Sequence, residues 1–333
     1  MRVKLKEGHS RLGDGVKKAA QSAFWSSVHS FKGVSNFSGY PRLASFPFIS
    51  CDTYRSIADV VISRDLGSHE LADIRLGTGH EVIYVELPFL KASGGETSML
   101  EWLASSNFTS ASVVLHNHDW VPDSEYLSSL TSTGARVFCV NTLDGIPGVT
   151  PIPVGLENAI RRKNGALEDF HLYQDLKRRP YSGDTLRGTM IFSSFKTATN
   201  RAVREPLANA LSKSRHGFSS TRLSVSDFRR NVLNSHFVLS PPGNGPDCYR
   251  TWEAIYLGAV PIVLKNTLAD SIAADLPVWV VDSWDEVFDA TDAELLANYR
   301  ALREVPPKKA FFPYWLGKIA TPTLAAKGPE KPH

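Results

Sequence analysis

The sequence predicts an α/β protein made of two successive units, each a parallel sheet flanked by helices. Short runs of β-branched and aromatic residues alternate with helix-like segments along most of the chain, which implies parallel strands joined by crossovers. The alternation lapses over residues 161–188 and then restarts. The 333 residues also match two domains of about 150 residues each. One large doubly wound sheet is the alternative reading of the same pattern.

In chain order, Val60-Val61-Ile62, Val82-Ile83-Tyr84-Val85, Ser112-Val113-Val114-Leu115 and Ala135 to Val140 read as buried strands bounded by Gly, Asp, His or Asn. Ser98–Ala104 and Asp123–Thr133 read as the helices between them. Two basic clusters, Arg161-Arg162-Lys163-Asn164-Gly165 and Lys177-Arg178-Arg179-Pro180, bracket a polar stretch without strand periodicity, taken as the linker. The expected domains are therefore 1–170 and 171–333. After the linker come a strand and turn over Gly188–Phe195, helices over Arg201–Ser212 and Ser224–Asn234, and the strand His236-Phe237-Val238-Leu239. A helix from about Cys248 to Leu257, strands Val260–Leu264 and Val278–Val281, and a helix over Asp292–Arg303 complete the second unit.

Composition narrows the function classes. Apolar residues make up 42% and charged residues 21%, as in a globular protein with a sizeable core. A formal charge of +3 is mild, well short of the clustered excess of a dedicated nucleic-acid binder, so nucleic acid is the less favoured partner. Cys51, Cys139 and Cys248 stand far apart and form neither a disulfide framework nor a CxxC pair, which fits a reducing cytoplasm. Met1 to Gly15 is basic and polar, unlike a signal peptide, and no run approaches 18 apolar residues, so no membrane span is expected. No DxD stands at an expected strand end, and no His/Cys cluster has ligand spacing, so no metal is expected.

The most informative segment is Ser240-Pro241-Pro242-Gly243-Asn244-Gly245-Pro246-Asp247-Cys248-Tyr249-Arg250, between an expected strand and helix. Its prolines and glycines let backbone approach a ligand closely. Asp247 suits an N-cap, and the free N–H groups of a helix start attract an anion. Arg250 in the first turn offers a forked cation for phosphate, and Glu253 on the same face offers a carboxylate for vicinal ribose hydroxyls. A surface ion pair between Arg250 and Glu253 at i,i+3 is the bland alternative.

Taken together, Phe237 to Gly243, Asp247, Tyr249-Arg250, Trp252-Glu253-Ala254-Ile255 and Gly258 to Leu264 resemble the donor-site signature of exostosin-like glycosyltransferases. The resemblance is strongest over 237–264 and does not extend over the N-terminal half. It implies a GT-B fold, two Rossmann-like domains facing a central cleft, with an N-terminal acceptor-binding and a C-terminal nucleotide-sugar-binding domain. It also implies a transferase whose only small-molecule requirement is a nucleotide-sugar co-substrate, without a metal. Carried over by position, Arg250 meets the diphosphate and Glu253 the ribose, with Gly243, Asn244, Gly245, Asp247 and Tyr249 lining the donor. Family members keep a basic residue after the first strand of this domain. Lys196 or Arg201 fills that place here, with Arg204 one turn further along.

Inverting transfer needs a base beside the acceptor hydroxyl. His116-Asn117-His118-Asp119-Trp120, after an expected strand, supplies His118 and Asp119 as base candidates and Trp120 as a sugar-stacking platform. Capping of the following helix by Asn and Asp is the competing role. Ser50-Cys51-Asp52-Thr53-Tyr54-Arg55 supplies Asp52 as a third candidate and Arg55 for an acidic group, unless Ser50 or Asp52 merely caps a helix. Glu157, in Pro153-Val154-Gly155-Leu156-Glu157-Asn158, stands where it would touch the donor sugar. A saccharide or other hydroxyl compound is the expected acceptor. A retaining transferase of the same fold, a DNA-base glycosyltransferase and a non-catalytic nucleotide-binding protein are the alternatives the residues leave open.

Overall fold

The fold is given by a computed structural model that describes residues 35–36, 45–62, 81–86, 95–105, 111–158, 167–171, 187–216 and 223–320. The basic N-terminus and both basic clusters of the linker lie outside the described residues.

The first unit contains β1 (Ser35–Asn36), α1 (Cys51–Ser56), β2 (Val60–Ile62), β3 (Val82–Glu86), α2 (Gly95–Ser105), β4 (Ser112–His116), α3 (Ser124–Ser132), β5 (Arg136–Cys139) and β6 (Val149–Pro151). Its strands pair in parallel in chain order, β1-β2-β3-β4-β5-β6. The second unit contains β7 (Thr189–Phe192), α4 (Arg201–Lys213), α5 (Val225–Leu233), β8 (Ser235–Leu239), α6 (Tyr249–Tyr256), β9 (Val260–Leu264), α7 (Asp270–Ala273), β10 (Trp279–Val281), α8 (Asp285–Asp289), α9 (Asp292–Arg303) and α10 (Phe312–Ala320). Its four strands run parallel in the order β10-β9-β8-β7. Two parallel α/β sheets therefore form, not one continuous sheet.

Local chemistry sets the boundaries. Asp123 caps α3 by accepting from the Glu125 and Tyr126 amides, Ser224 caps α5 through Asp227, and Thr291 forms a capping box with Glu294 on α9. The segment after Ile49 is the short helix α1 with Ser50 as its N-cap, the capping role that the sequence offered as the alternative to a ligand-binding one.

The period of two in each strand divides the core. Val60, Ile62, Ile83, Val85, Val113, Leu115, Val137 and Cys139 meet Met99, Trp102, Leu103, Leu127 and Leu130 of α2 and α3 on one face. Helices α2 and α3 both lie on that face, so the other is covered by α1 and by elements from beyond the sheet. There Val61, Tyr84, Val114 and Phe138 join a cluster with Tyr54 of α1 and with Phe312, Trp315 and Ile319 of α10. Helix α10 thus returns to the first sheet, although it lies within 171–333, the span expected to form the second unit. Ser112 and Arg136 hold it there. They donate to the Ile319 carbonyl at 2.7 and 2.9 Å, and Arg136 also donates to that of Lys318 at 3.0 Å, satisfying acceptors that a helix end leaves open. Among the described residues no helix is long and apolar enough to cross a membrane.

The same cluster also includes Val232, Val238, Trp252, Ile255 and Val263 from the second unit. One apolar core therefore runs beneath both sheets. Tyr256 seals it, accepting from the Ile49 amide at 3.1 Å and donating to the Ala310 carbonyl at 2.5 Å.

Candidate functional site

Parallel strands deliver their C-terminal ends to one edge, where the loops gather polar residues. In the second unit the β8–α6 loop is held from below by one buried side chain. Arg204 of α4 donates to the carbonyls of Pro242, Pro241 and Lys196 at 2.8, 3.2 and 2.9 Å. Asn200 adds a bond to the Gly243 carbonyl at 3.0 Å. Burial, then the neighbouring Arg250 charge, pulls Arg204 down to about 10. Arg204 is thus a brace for the loop.

Both loop glycines sit where a side chain would be crowded. A Cβ on Gly243 would lie 3.3 Å from Arg204 Nη2, and one on Gly245 would meet Asn141 Nδ2 at 3.0 Å and the Asp119 carbonyl at 3.1 Å. Asn244 donates to the exposed carboxylate of Asp119 at 3.1 Å, so the loop bridges to the first unit.

Asp247 departs from expectation. The N-cap of α6 is Cys248, whose side chain makes no capping bond. The Asp247 carboxylate instead accepts from the Val154 amide at 2.9 Å and from Trp252 Nε1 at 3.0 Å, while its own amide donates to Asn141 Oδ1 at 3.1 Å. Burial raises its pKa to about 7, and the Val154, Trp252 and Cys248 donors hold back part of that rise. The carboxylate thus ties Val154 of the first unit to Trp252 of the second.

At the start of α6, with no side-chain cap, Arg250 is half-buried. Its Nε and Nη1 are both buried without a hydrogen-bond partner. Further along the helix, the Glu253 side chain is 15% exposed, with Oε1 3.7 Å from Arg229 Nε. Burial raises Glu253 to about 7; Arg229 and Arg250 oppose the rise and Glu157 adds to it. Tyr249 shares a hydrogen bond with Glu157 of the first unit, and burial followed by that carboxylate pushes its phenol upward. The structure therefore brings Arg250, Glu253, Tyr249 and Glu157 together, with Asp119 beside Asn244 and Gly245. Lys196 and Arg201 are exposed.

On the first sheet, Asn117 and Asn141 follow β4 and β5 with φ of 62° and 56°, the left-handed region that Asn tolerates better than most residues. Glu86, the last residue of β3, accepts from Asn117 Nδ2 at 3.2 Å and lies 3.9 Å from Arg55 Nη1. Burial raises its pKa, with Arg55 the main opposing influence. Asp52 is buried in this same group. Asn158 extends it, donating to Asn117 Oδ1 at 3.4 Å.

His118 sits apart from this group. Only 3% exposed, it bonds through Nδ1 to the Trp120 carbonyl at 2.9 Å and has Nε2 3.9 Å from Cys139 Sγ. Burial lowers it to about 4. A carbonyl can only accept, so Nδ1 carries the proton and the ring turns its other nitrogen into the core.

Sequence reasoning missed Glu86 and Arg229. Glu86 hides as the polar end of an apolar strand. Arg229 had a visible signal: with Val225, Phe228 and Val232 it completes an i, i+3, i+4, i+7 stripe, placing a cation on the apolar face of α5.

A family model described as the RXYLT1 C-terminal domain matches residues 173–287, a span that holds β7 through β10 and the whole β8–α6 loop. No curated protein matches the chain. The second sheet and its Pro-Gly loop are thus similar to a domain of the exostosin-like glycosyltransferase family, and that similarity suggests a glycosyltransferase.

Proposed function

We propose that the chain is a GT-B glycosyltransferase that moves a sugar from a nucleotide-sugar donor to a hydroxyl acceptor, with inversion and without a metal. The observation that carries this reading is Arg250, two of whose guanidinium nitrogens are buried with no hydrogen-bond partner among the described residues, beside an uncapped helix start. Buried charged donors left unpaired are costly, and an anion such as a diphosphate supplies the missing acceptors.

In this reading Glu253 accepts from the ribose hydroxyls, while Glu157 and Tyr249 flank the sugar. The acceptor oxygen attacks the anomeric carbon as the bond to the diphosphate oxygen breaks. The electron pair leaves with the diphosphate, where Arg250 and the α6 amides meet the growing charge. The acceptor proton passes to a carboxylate of the first unit. Of the three residues first considered for that step, Asp119 is the exposed one. Asp52 is buried beside Glu86, and His118 is buried and neutral.

Thermal-shift screening with UDP, GDP, ADP and CDP in the presence of a chelator tests the reading. At least one should raise the melting temperature in a concentration-dependent way. No shift with any of them, or one that depends on added manganese or magnesium, overturns it.

A further inference from the structure

Arg229 belongs to neither the loop nor the helix that face the donor, yet its surroundings give it a role there. It projects from α5 and is 3% exposed. Its Nη1 pairs with Asp169 Oδ2 at 3.2 Å, its guanidinium lies 4.4 Å from the Phe170 ring centroid, and Nε faces Glu253 Oε1 at 3.7 Å. Phe170 is itself fully buried in the core shared by the two units. The ion pair with Asp169, the Phe170 ring and burial hold the guanidinium with its positive charge beside one oxygen of Glu253.

We infer that Arg229 is a positioning residue for the donor site, fixing the Glu253 carboxylate to receive the ribose hydroxyls of a nucleoside diphosphate. The inference rests on the donor reading above and adds to it a residue outside the β8–α6 signature. A carboxylate in a pocket this buried rotates or takes up a proton unless a fixed cation opposes both. Arg229 is the foremost such cation here, with Arg250 second and Glu157 working against them. Asp169 and Phe170 lie in the stretch between the two sheets, so they tie that connection to the geometry of the ribose pocket.

The test measures calorimetric affinity for the best-binding diphosphate among UDP, GDP, ADP and CDP, and for its 2′,3′-dideoxy counterpart. Wild type should favour the natural nucleotide at least tenfold, since the analogue lacks the hydroxyls that donate to Glu253. In Arg229→Gln this ratio should collapse towards one while affinity for the dideoxy compound stays near the wild-type value. Arg229→Lys, which keeps the charge and carries the same test if the glutamine variant fails to fold, should retain part of the ratio. A role confined to packing would weaken both nucleotides together and leave the ratio intact, and that result overturns the inference. Wild type that binds the diphosphate with no ribose preference also overturns it, while sparing the donor reading. Absence of binding to all four diphosphates removes both.

Discussion

Arg250→Met separates the cost of an unpaired charge from its use. The substitution keeps most of the aliphatic stem, which packs, and removes the guanidinium, which finds no partner at Nε or Nη1. In the unliganded protein, two buried unsatisfied nitrogens cost about 1–3 kcal/mol each when fully desolvated, and less at this half-buried position. Repulsion with Arg204, which contributes to the lowered Arg204 value, is relieved as well. A net gain of about 1 kcal/mol is expected, or about 1–3 °C in melting temperature for a chain of this size. In the presence of a saturating nucleoside diphosphate the order reverses. Two charge-assisted bonds worth about 1.5–3 kcal/mol each are lost, so affinity should fall by at least tenfold. The assay is a melting curve with and without nucleotide for both proteins. A variant that melts several degrees lower when unliganded would mean the guanidinium stabilises the resting fold. A variant with an undiminished nucleotide shift would mean it does not meet the diphosphate. Either result refutes the reasoning.

Asp119→Asn should leave nucleotide affinity intact and lower kcat by about 10²–10⁴, the range for loss of general-base help. If it turns over at near-native rate while Glu86→Gln shows that loss, the base is the carboxyl at the end of β3. Asp247 bears on stability and pH. Its folded pKa of about 7 lies above its ordinary value of 3.8, so between those values the folded chain holds more protons than the unfolded one. Unfolding free energy therefore falls as pH rises through that window. Asp247→Asn keeps an acceptor for Val154 and Trp252 but cannot titrate. It should flatten the decline in melting temperature between pH 5 and 7, and an unchanged slope would count against the assignment.

Regular elements were legible where a periodic signal coincided with a cap. Asp292–Arg303 is a helix over the span expected, because Thr291 and Glu294 close its start, and Asp123 and Ser224 mark the starts of α3 and α5 in the same way. Elements whose reason to exist is tertiary were not legible. β6 is three residues ending in proline and reads as a loop until β5 is beside it. The return of α10 depends on an uncovered sheet face, which no local pattern encodes. At the candidate site, the residue types near the start of α6 announced themselves, but roles that depend on distant partners did not. Asp247 looks like a cap in a linear reading because the Val154 amide that claims it is 93 positions away. Arg204 and Arg201 sit three residues apart, yet one faces the loop carbonyls and the other solvent, a difference set by the helix packing against β7 and β8.

The shared core beneath the two sheets bears on how this chain can be cut and recombined. A fragment carrying only the matched stretch, 173–287, would expose Trp252, Val238 and Ile255 on one side and forfeit Tyr299 and Leu295 on the other. At about 25 cal/mol per Å² of apolar surface, side chains of that size leave such a fragment short of what ordering its backbone demands. Modules of this kind are transplantable only as interleaved pieces. A chimera that exchanges the donor half must keep Phe312–Ala320 from the parent that supplied the first sheet, because that helix, though it follows the whole second sheet in the chain, is a structural component of the first sheet's fold.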